Sequence, residues 1–240
     1  MVRIGTSGFS YKEWVGSFYP PKTPGNRMLA YYAERMPTVE INYTFRAMPR
    51  PQMLEGWVSQ TPAEFRFALK ASQRITHAAR LKNTQSDLDY FISVAQHLGE
   101  RLGPTLFQLP PGFKKDLALL RDFLAQLDGR LKAAFEFRDQ SWFDDSVYAA
   151  LKEAAGALCI AQSDKLATPV VRTAPHVYLR LRKESYDQAG LAQWADNIAE
   201  LRGQDTDVDI YVYLKHELAA PGLAATLRDL LDQRLGTTPR

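Results

Sequence analysis

The chain has 240 residues, 45% of them hydrophobic and 24% charged, with a formal net charge of +3. That is the make-up of an ordinary soluble globular protein, and so small a positive excess does not mark a nucleic-acid binder. One cysteine, Cys159, excludes an intrachain disulfide framework and fits a reducing, cytoplasmic setting. No apolar run approaches the roughly 20 residues of a membrane span, and no signal-peptide pattern opens the chain.

Strands are expected to begin near Val2, Thr38, Arg66, Thr105, Lys132, Leu158, Val177 and Asp209. Helical patterns fall between most of them, at 28–35, 86–102, 115–126, 146–155 and 191–201, and at 221–235 after the last. The segment 18–26 carries Pro20, Pro21, Pro24 and Gly25 and reads as a rigid loop. The segment 164–175, with Thr168, Pro169 and Pro175, is a poor helix, so the connection between the sixth and seventh strands is expected to be irregular. Residues 236–240 read as a frayed tail. Strands alternating with helices imply parallel strands joined by crossovers, and eight of them in this length favour a closed (β/α)8 TIM-type barrel. Residues 1–240 are read as a single domain.

Successive strand side chains point to opposite faces. If Val39, Ile41, Phe67, Leu69, Phe135, Phe137, Leu179, Leu181, Val212 and Leu214 face covering helices, then Glu40, Asn42, Lys70, Glu136, Arg138, Arg180, Arg182 and Lys215 converge on one space inside. Burying unpaired charge is costly, so such a set implies mutual pairing, a ligand, or both.

The same strand ends resemble a known family. Gly5-Thr6-Ser7-Gly8-Phe9-Ser10-Tyr11 with Trp14, Pro37-Thr38-Val39-Glu40-Ile41-Asn42, Phe65-Arg66-Phe67-Ala68-Leu69-Lys70, Ile75-Thr76-His77, Gly103 through Pro111, Glu136-Phe137-Arg138 with Ser141-Trp142, and Tyr178 through Leu181 resemble the YecE-like proteins (domain of unknown function number seventy-two). The resemblance covers nearly the whole chain and implies a TIM-type barrel, but no activity. The chain departs from the family pattern at Arg182-Lys183, at Lys215-His216-Glu217, and at Tyr43 and Arg46, which makes the mouth more basic.

TIM-barrel active sites lie at the carboxyl ends of the strands. There Glu40 and Glu136 are the expected general acid and base, tuned by burial and by neighbouring cations. The competing reading is a structural ion-pair network of Glu40 with Lys70 and Glu136 with Arg138 or Arg180. A glycosidase could use two such carboxylates, but strands two and five lie almost opposite each other, a poor match to the required separations. Lys70 is the one amine suited to imine formation, although a nearby carboxylate would hold it protonated in a salt bridge.

Arg138, Arg180, Arg182 and Lys215 suggest a clamp for phosphate or carboxylate. Ser7, Asn42, Gln108 and Tyr213 complete the expected substrate contacts, with the backbone N–H groups near Ser7 and Gly8 turned to a ligand. Tyr178, Tyr211, Tyr213 and Trp142 are rings on which a substrate could stack. The four histidines form no metal-ligand pattern and no nucleotide-cofactor motif is present, so no metal and no cofactor are expected. A Mg²⁺ held by Glu40 and Glu136 is the alternative.

The leading reading is a metal-independent enzyme acting on a small anionic substrate, such as a sugar phosphate or nucleotide fragment. The alternatives are a nucleic-acid-binding module using Arg46, Arg50, Arg74, Arg80, Lys82, Arg182 and Lys183, or a metabolite sensor without catalysis.

Overall fold

Eight strands, all parallel, close on themselves in the order of the chain. They are β1 (Val2–Ser7), β2 (Thr38–Ile41), β3 (Arg66–Lys70), β4 (Leu102–Gln108), β5 (Ala133–Glu136), β6 (Ala157–Gln162), β7 (His176–Leu181) and β8 (Asp209–Leu214). Closure is made by β1 against β8, where Val2 through Thr6 run in register with Ile210 through Leu214. The computed structural model describes residues 1–203, 207–216 and 218–236. Most of the tail expected to fray, 237–240, lies outside the described residues.

Among the described residues seven α-helices accompany the strands: α1 (Gly25–Ala33), α2 (Pro51–Ser59), α3 (Gln85–Ala95), α4 (Leu117–Leu127), α5 (Asp145–Glu153), α6 (Gln188–Arg202) and α7 (Ala220–Leu235). Three begin on an aspartate whose carboxylate accepts a backbone N–H of the first turn: Asp116 from Leu119, Asp144 from Ser146 and Asp187 from Gly190. The sequence pattern missed α2. Leu54 is its only fully buried side chain and Gly56 interrupts it, so it shows little periodicity. The pattern also began β4 at Thr105, whereas the strand starts at Leu102. Between β6 and β7 the chain forms no α-helix, as the prolines there foretold.

Alternation along the strands produces two separate apolar cores. The outer one lies between barrel and helices and contains all ten residues expected to face outward, from Val39 to Leu214. The inner one is Ala68, Leu106, Ala134, Ala157, Cys159, Ala161, Ala174, Tyr178, Tyr211 and Tyr213. Many of its members are small, which leaves room above them for long polar side chains from the strand ends. Gly5 serves a related purpose: a Cβ there would lie 2.0 Å from the Thr38 carbonyl oxygen, so only glycine lets β1 and β2 approach. No helix among the described residues is long and apolar enough to cross a membrane.

Candidate functional site

The strand ends bring Glu40, Glu136, Arg180 and Arg182 into one network. Glu40 is level with Ser7 in the ladder, and the Ser7 hydroxyl donates to Glu40 Oε1 at 2.5 Å. Asn42 Nδ2 donates to the Ser7 hydroxyl at 2.8 Å and to Glu40 Oε1 at 3.2 Å. The Tyr178 hydroxyl donates to Oε2 at 2.7 Å. Arg180 reaches across the barrel, placing Nη2 2.8 Å from Oε1 and Nε 2.8 Å from Oε2. Burial alone would raise the pKa of Glu40, but Arg180, Ser7 and Tyr178 together bring it down to about 2. Such a carboxylate is an anchor and a very weak base.

Glu136 is held the same way. Arg180 Nη1 donates to its Oε2 at 2.5 Å, and Arg182 donates to its Oε1. Burial again opposes ionisation, and Arg180, Arg182 and Gln108 outweigh it, so its pKa too is lowered. Of the expected pairs, Glu136 with Arg180 is present, joined by Arg182 and not by Arg138; the other is corrected, since Glu40 takes Arg180 in place of Lys70. One guanidinium bridges both carboxylates, so they do not face each other across an open gap. With both held as anions, neither is a ready proton donor of the kind glycoside hydrolysis needs.

Among the described residues Lys70 touches this network only through the Gln108 amide. Its ammonium donates to Gln108 Oε1 at 2.8 Å and lies 4.1 Å from the centre of the Phe45 ring. No carboxylate comes within ion-pair distance of it among the described residues, so the expected salt bridge is absent. Burial lowers its pKa, the Arg180 and Arg182 charges add to that, and Glu40 and Glu136 offset only part; the result is about 8. Lys70 remains half-buried, open to the mouth.

The loops around Lys70 are held in unusual shapes. The turn after β2 (Tyr43–Phe45) is tied to the end of β3 by the Thr44 hydroxyl, which donates to the Lys70 carbonyl at 2.6 Å. After β3 comes a π-helical turn (Arg74–Ala78), a form that often marks functional segments. It sets His77 edge-on to Phe45, with ring centres 4.8 Å apart. Burial, then Lys70 and Arg138, lower the pKa of His77, which keeps it neutral at pH 7. Three non-glycine residues follow with positive φ: Arg80, Leu81 and Asn83. Strain of this sort collects near ligand sites.

Other expected contacts fall elsewhere. Tyr213 is fully buried one layer down and its hydroxyl shares a hydrogen with Thr38 at 2.8 Å, so it does not reach the mouth. Tyr178, Tyr211 and Trp142 are equally buried, and offer a substrate no ring. The Gly8 N–H is spent on the Glu40 carbonyl at 2.8 Å. Arg138 and Lys215 are exposed, just past the ends of β5 and β8. Sequence reasoning gave Phe45 no role; its place three residues beyond the Asn42 strand tip was the available signal. Among the described residues no three His, Cys, Asp or Glu side chains gather as a metal site would require.

Residues 3–240 match the family model described as a protein of unknown function, DUF72. The UPF0759 protein YunF of Bacillus subtilis is 34% identical over 157 residues, covering 62% of this chain and 54% of that protein. The UPF0759 protein YecE of Escherichia coli strain K12 is 31% identical over 144 residues, covering 60% and 50%. The matched stretch thus spans about half the length of these relatives. Among solved structures, a DUF72 family protein of Thermotoga maritima superposes with a TM-score of 0.77 at 24% identity, covering 98% of this chain and 99% of that one. One from Enterococcus faecalis gives 0.78 at 18% identity, covering 100% and 97%.

Proposed function

The chain belongs to the DUF72 family, described as a protein of unknown function, and from that footing we propose that the barrel mouth binds and transforms a small organic anion. A sugar phosphate or nucleotide fragment has the right size and charge. The observation that carries this reading is the contrast between Lys70 and its neighbours. Glu40 and Glu136 are neutralised by Arg180 and Arg182, while among the described residues the Lys70 ammonium has an amide and a ring as partners and no carboxylate in ion-pair distance. The mouth therefore keeps positive charge to spare, and Arg138 and Lys215 at the rim add to it.

On this reading proton transfer falls to Lys70 in place of the expected pair, Glu40 and Glu136. Glu40, near pKa 2, accepts protons poorly at neutral pH and the Glu136 carboxyl is lowered as well, whereas an amine near 8 both gives and takes them. Glu40 and Glu136 act by fixing Arg180 and Arg182 at the floor of the site. The test is calorimetric titration with ribose 5-phosphate and with inorganic phosphate. Binding that weakens at least tenfold in Lys70→Met, with an unchanged circular dichroism spectrum, supports the reading. Failure of the native protein to bind either compound at low ionic strength overturns it.

A further inference from the structure

The Lys70 amine has the surroundings of a nucleophile, and we propose that it forms an imine with the carbonyl group of a small anionic substrate, an open-chain sugar phosphate or an oxo acid. This deepens the function proposed above and rests on it, because the anion must first be held at the mouth. Three features of the geometry point this way. Nζ is half-buried at the open end of the barrel, with no carboxylate in ion-pair distance among the described residues. Its one hydrogen-bond acceptor among the described residues is a neutral amide, which leaves it when the amine turns toward a substrate at little electrostatic cost. Phe45 gives it an apolar flank, the kind of desolvated setting in which lysine is activated for carbonyl chemistry.

The groups around it suit the steps. The carbonyl compound enters with its phosphate or carboxylate toward the rim, where Arg138 and Lys215 are exposed and Arg182 is half-buried. Arg182 has its Nε without a hydrogen-bond partner. The neutral amine attacks the carbonyl carbon; a C–N bond forms and the carbonyl π pair moves to oxygen. Nitrogen gives up a proton and that oxygen gains one, producing a carbinolamine. The hydroxyl then takes a second proton and departs as water, leaving the protonated imine. Overall, ammonium and carbonyl yield iminium and one water, with no net oxidation. His77, neutral and set against the same Phe45 ring, is the group placed to carry protons between nitrogen and oxygen. With Lys70 near pKa 8, about a tenth of the molecules hold the free amine at pH 7, against far fewer for an ordinary lysine.

Trapping tests this directly. The intact protein is incubated separately with ribose 5-phosphate and with pyruvate, treated with sodium borohydride, digested and mapped by mass spectrometry. The expected product is a secondary amine on the peptide carrying Lys70, heavier by the probe less one oxygen, formed at least tenfold faster than on any other lysine. Because the native protein reports its own site, the result does not depend on a variant that folds. Lys70→Arg, which keeps the charge, should bind phosphate and lose the label. If phosphate binds but neither probe labels Lys70, the imine is wrong and the anion site stands. If labelling is spread evenly over surface lysines, the imine is equally overturned. If no anion binds and no label forms, both readings fall.

Discussion

Arg180 meets Glu40 side-on, its Nη2 2.8 Å from Oε1 and its Nε 2.8 Å from Oε2, with 3% of the arginine side chain exposed and none of the glutamate. Two strands that are not neighbours are joined by this contact, β7 and β2, through the middle of the barrel. The same guanidinium holds Glu136 on β5. The floor of the mouth is therefore a single electrostatic unit whose members cannot be changed one at a time without consequence.

Removing the shared cation should show this. Arg180→Met leaves two carboxylates buried without their main partner and is expected to destabilise the fold by about 3–5 kcal/mol. Replacing Glu40 and Glu136 by Gln in that background should restore much of the loss, because no buried carboxylate is then left unpaired and the half-buried Arg182 can still reach water. Urea unfolding of the three proteins measures both effects, and a loss below about 1 kcal/mol in the single variant would contradict the pairing.

Acid should unfold the protein partly through Glu40. Its carboxyl titrates near 4.5 when unfolded and near 2 when folded, so the stabilisation is complete above about pH 4.5 and is lost as pH falls toward 2. Glu40→Gln should flatten melting temperature against pH within that window, and leave the slope above pH 5 as it was.

A different group acts at milder acidity. Burial drives the pKa of His176 down to about 4, even though its ring is hydrogen-bonded to the Ala133 carbonyl at 3.1 Å. The unfolded chain takes up this proton below about 6.5 and the folded one resists it, so stability should decline between pH 6.5 and 4. In His176→Gln that decline should shrink, as read by urea midpoints at pH 7, 5.5 and 4.5; an unaltered decline assigns it to other groups.

Gly5 offers a steric test. Gly5→Ala puts a methyl carbon 2.0 Å from the Thr38 carbonyl oxygen, a backbone atom that cannot swing aside. Forcing β1 and β2 apart should cost about 3 kcal/mol and disturb the Ser7–Glu40 hydrogen bond two residues further along the strands. A variant as stable as the native protein would mean that the strands part easily.

Any reaction that uses the free amine of Lys70 should speed up with pH. Burial first, then Arg180 and Arg182, lower its pKa to about 8, against the pull of Glu40 and Glu136. Borohydride trapping at saturating probe should rise from pH 6.5 and level off above about 9. Substituting Arg182 by Met should move the midpoint upward. A midpoint above 10 in the native protein would place Lys70 among ordinary surface amines.

Several features of the barrel were legible in the chain alone. Period-two alternation separated Val39, Phe67 and Leu179 from Glu40, Lys70 and Arg180, and the two faces lie in different cores as that pattern requires. Prolines marked the helix-free link before β7. The helix α2 was hidden because one buried leucine makes no periodic stripe. Tyr213 obeyed the alternation yet lies a layer below the mouth, since facing inward does not say how far along the barrel axis a side chain lies.

Alternation is a local property, written residue by residue, and it decided which side chains enter the barrel. Partner choice is not local. Closing eight tilted strands staggers each against the next, so Glu40 comes level with Ser7 and Ala68, while Lys70 advances to Leu106 and passes its supposed partner. That stagger gave both carboxylates to Arg180 and left the lysine amine with an amide and a ring. Only the closed barrel, in which distant strands share one interior, could decide it.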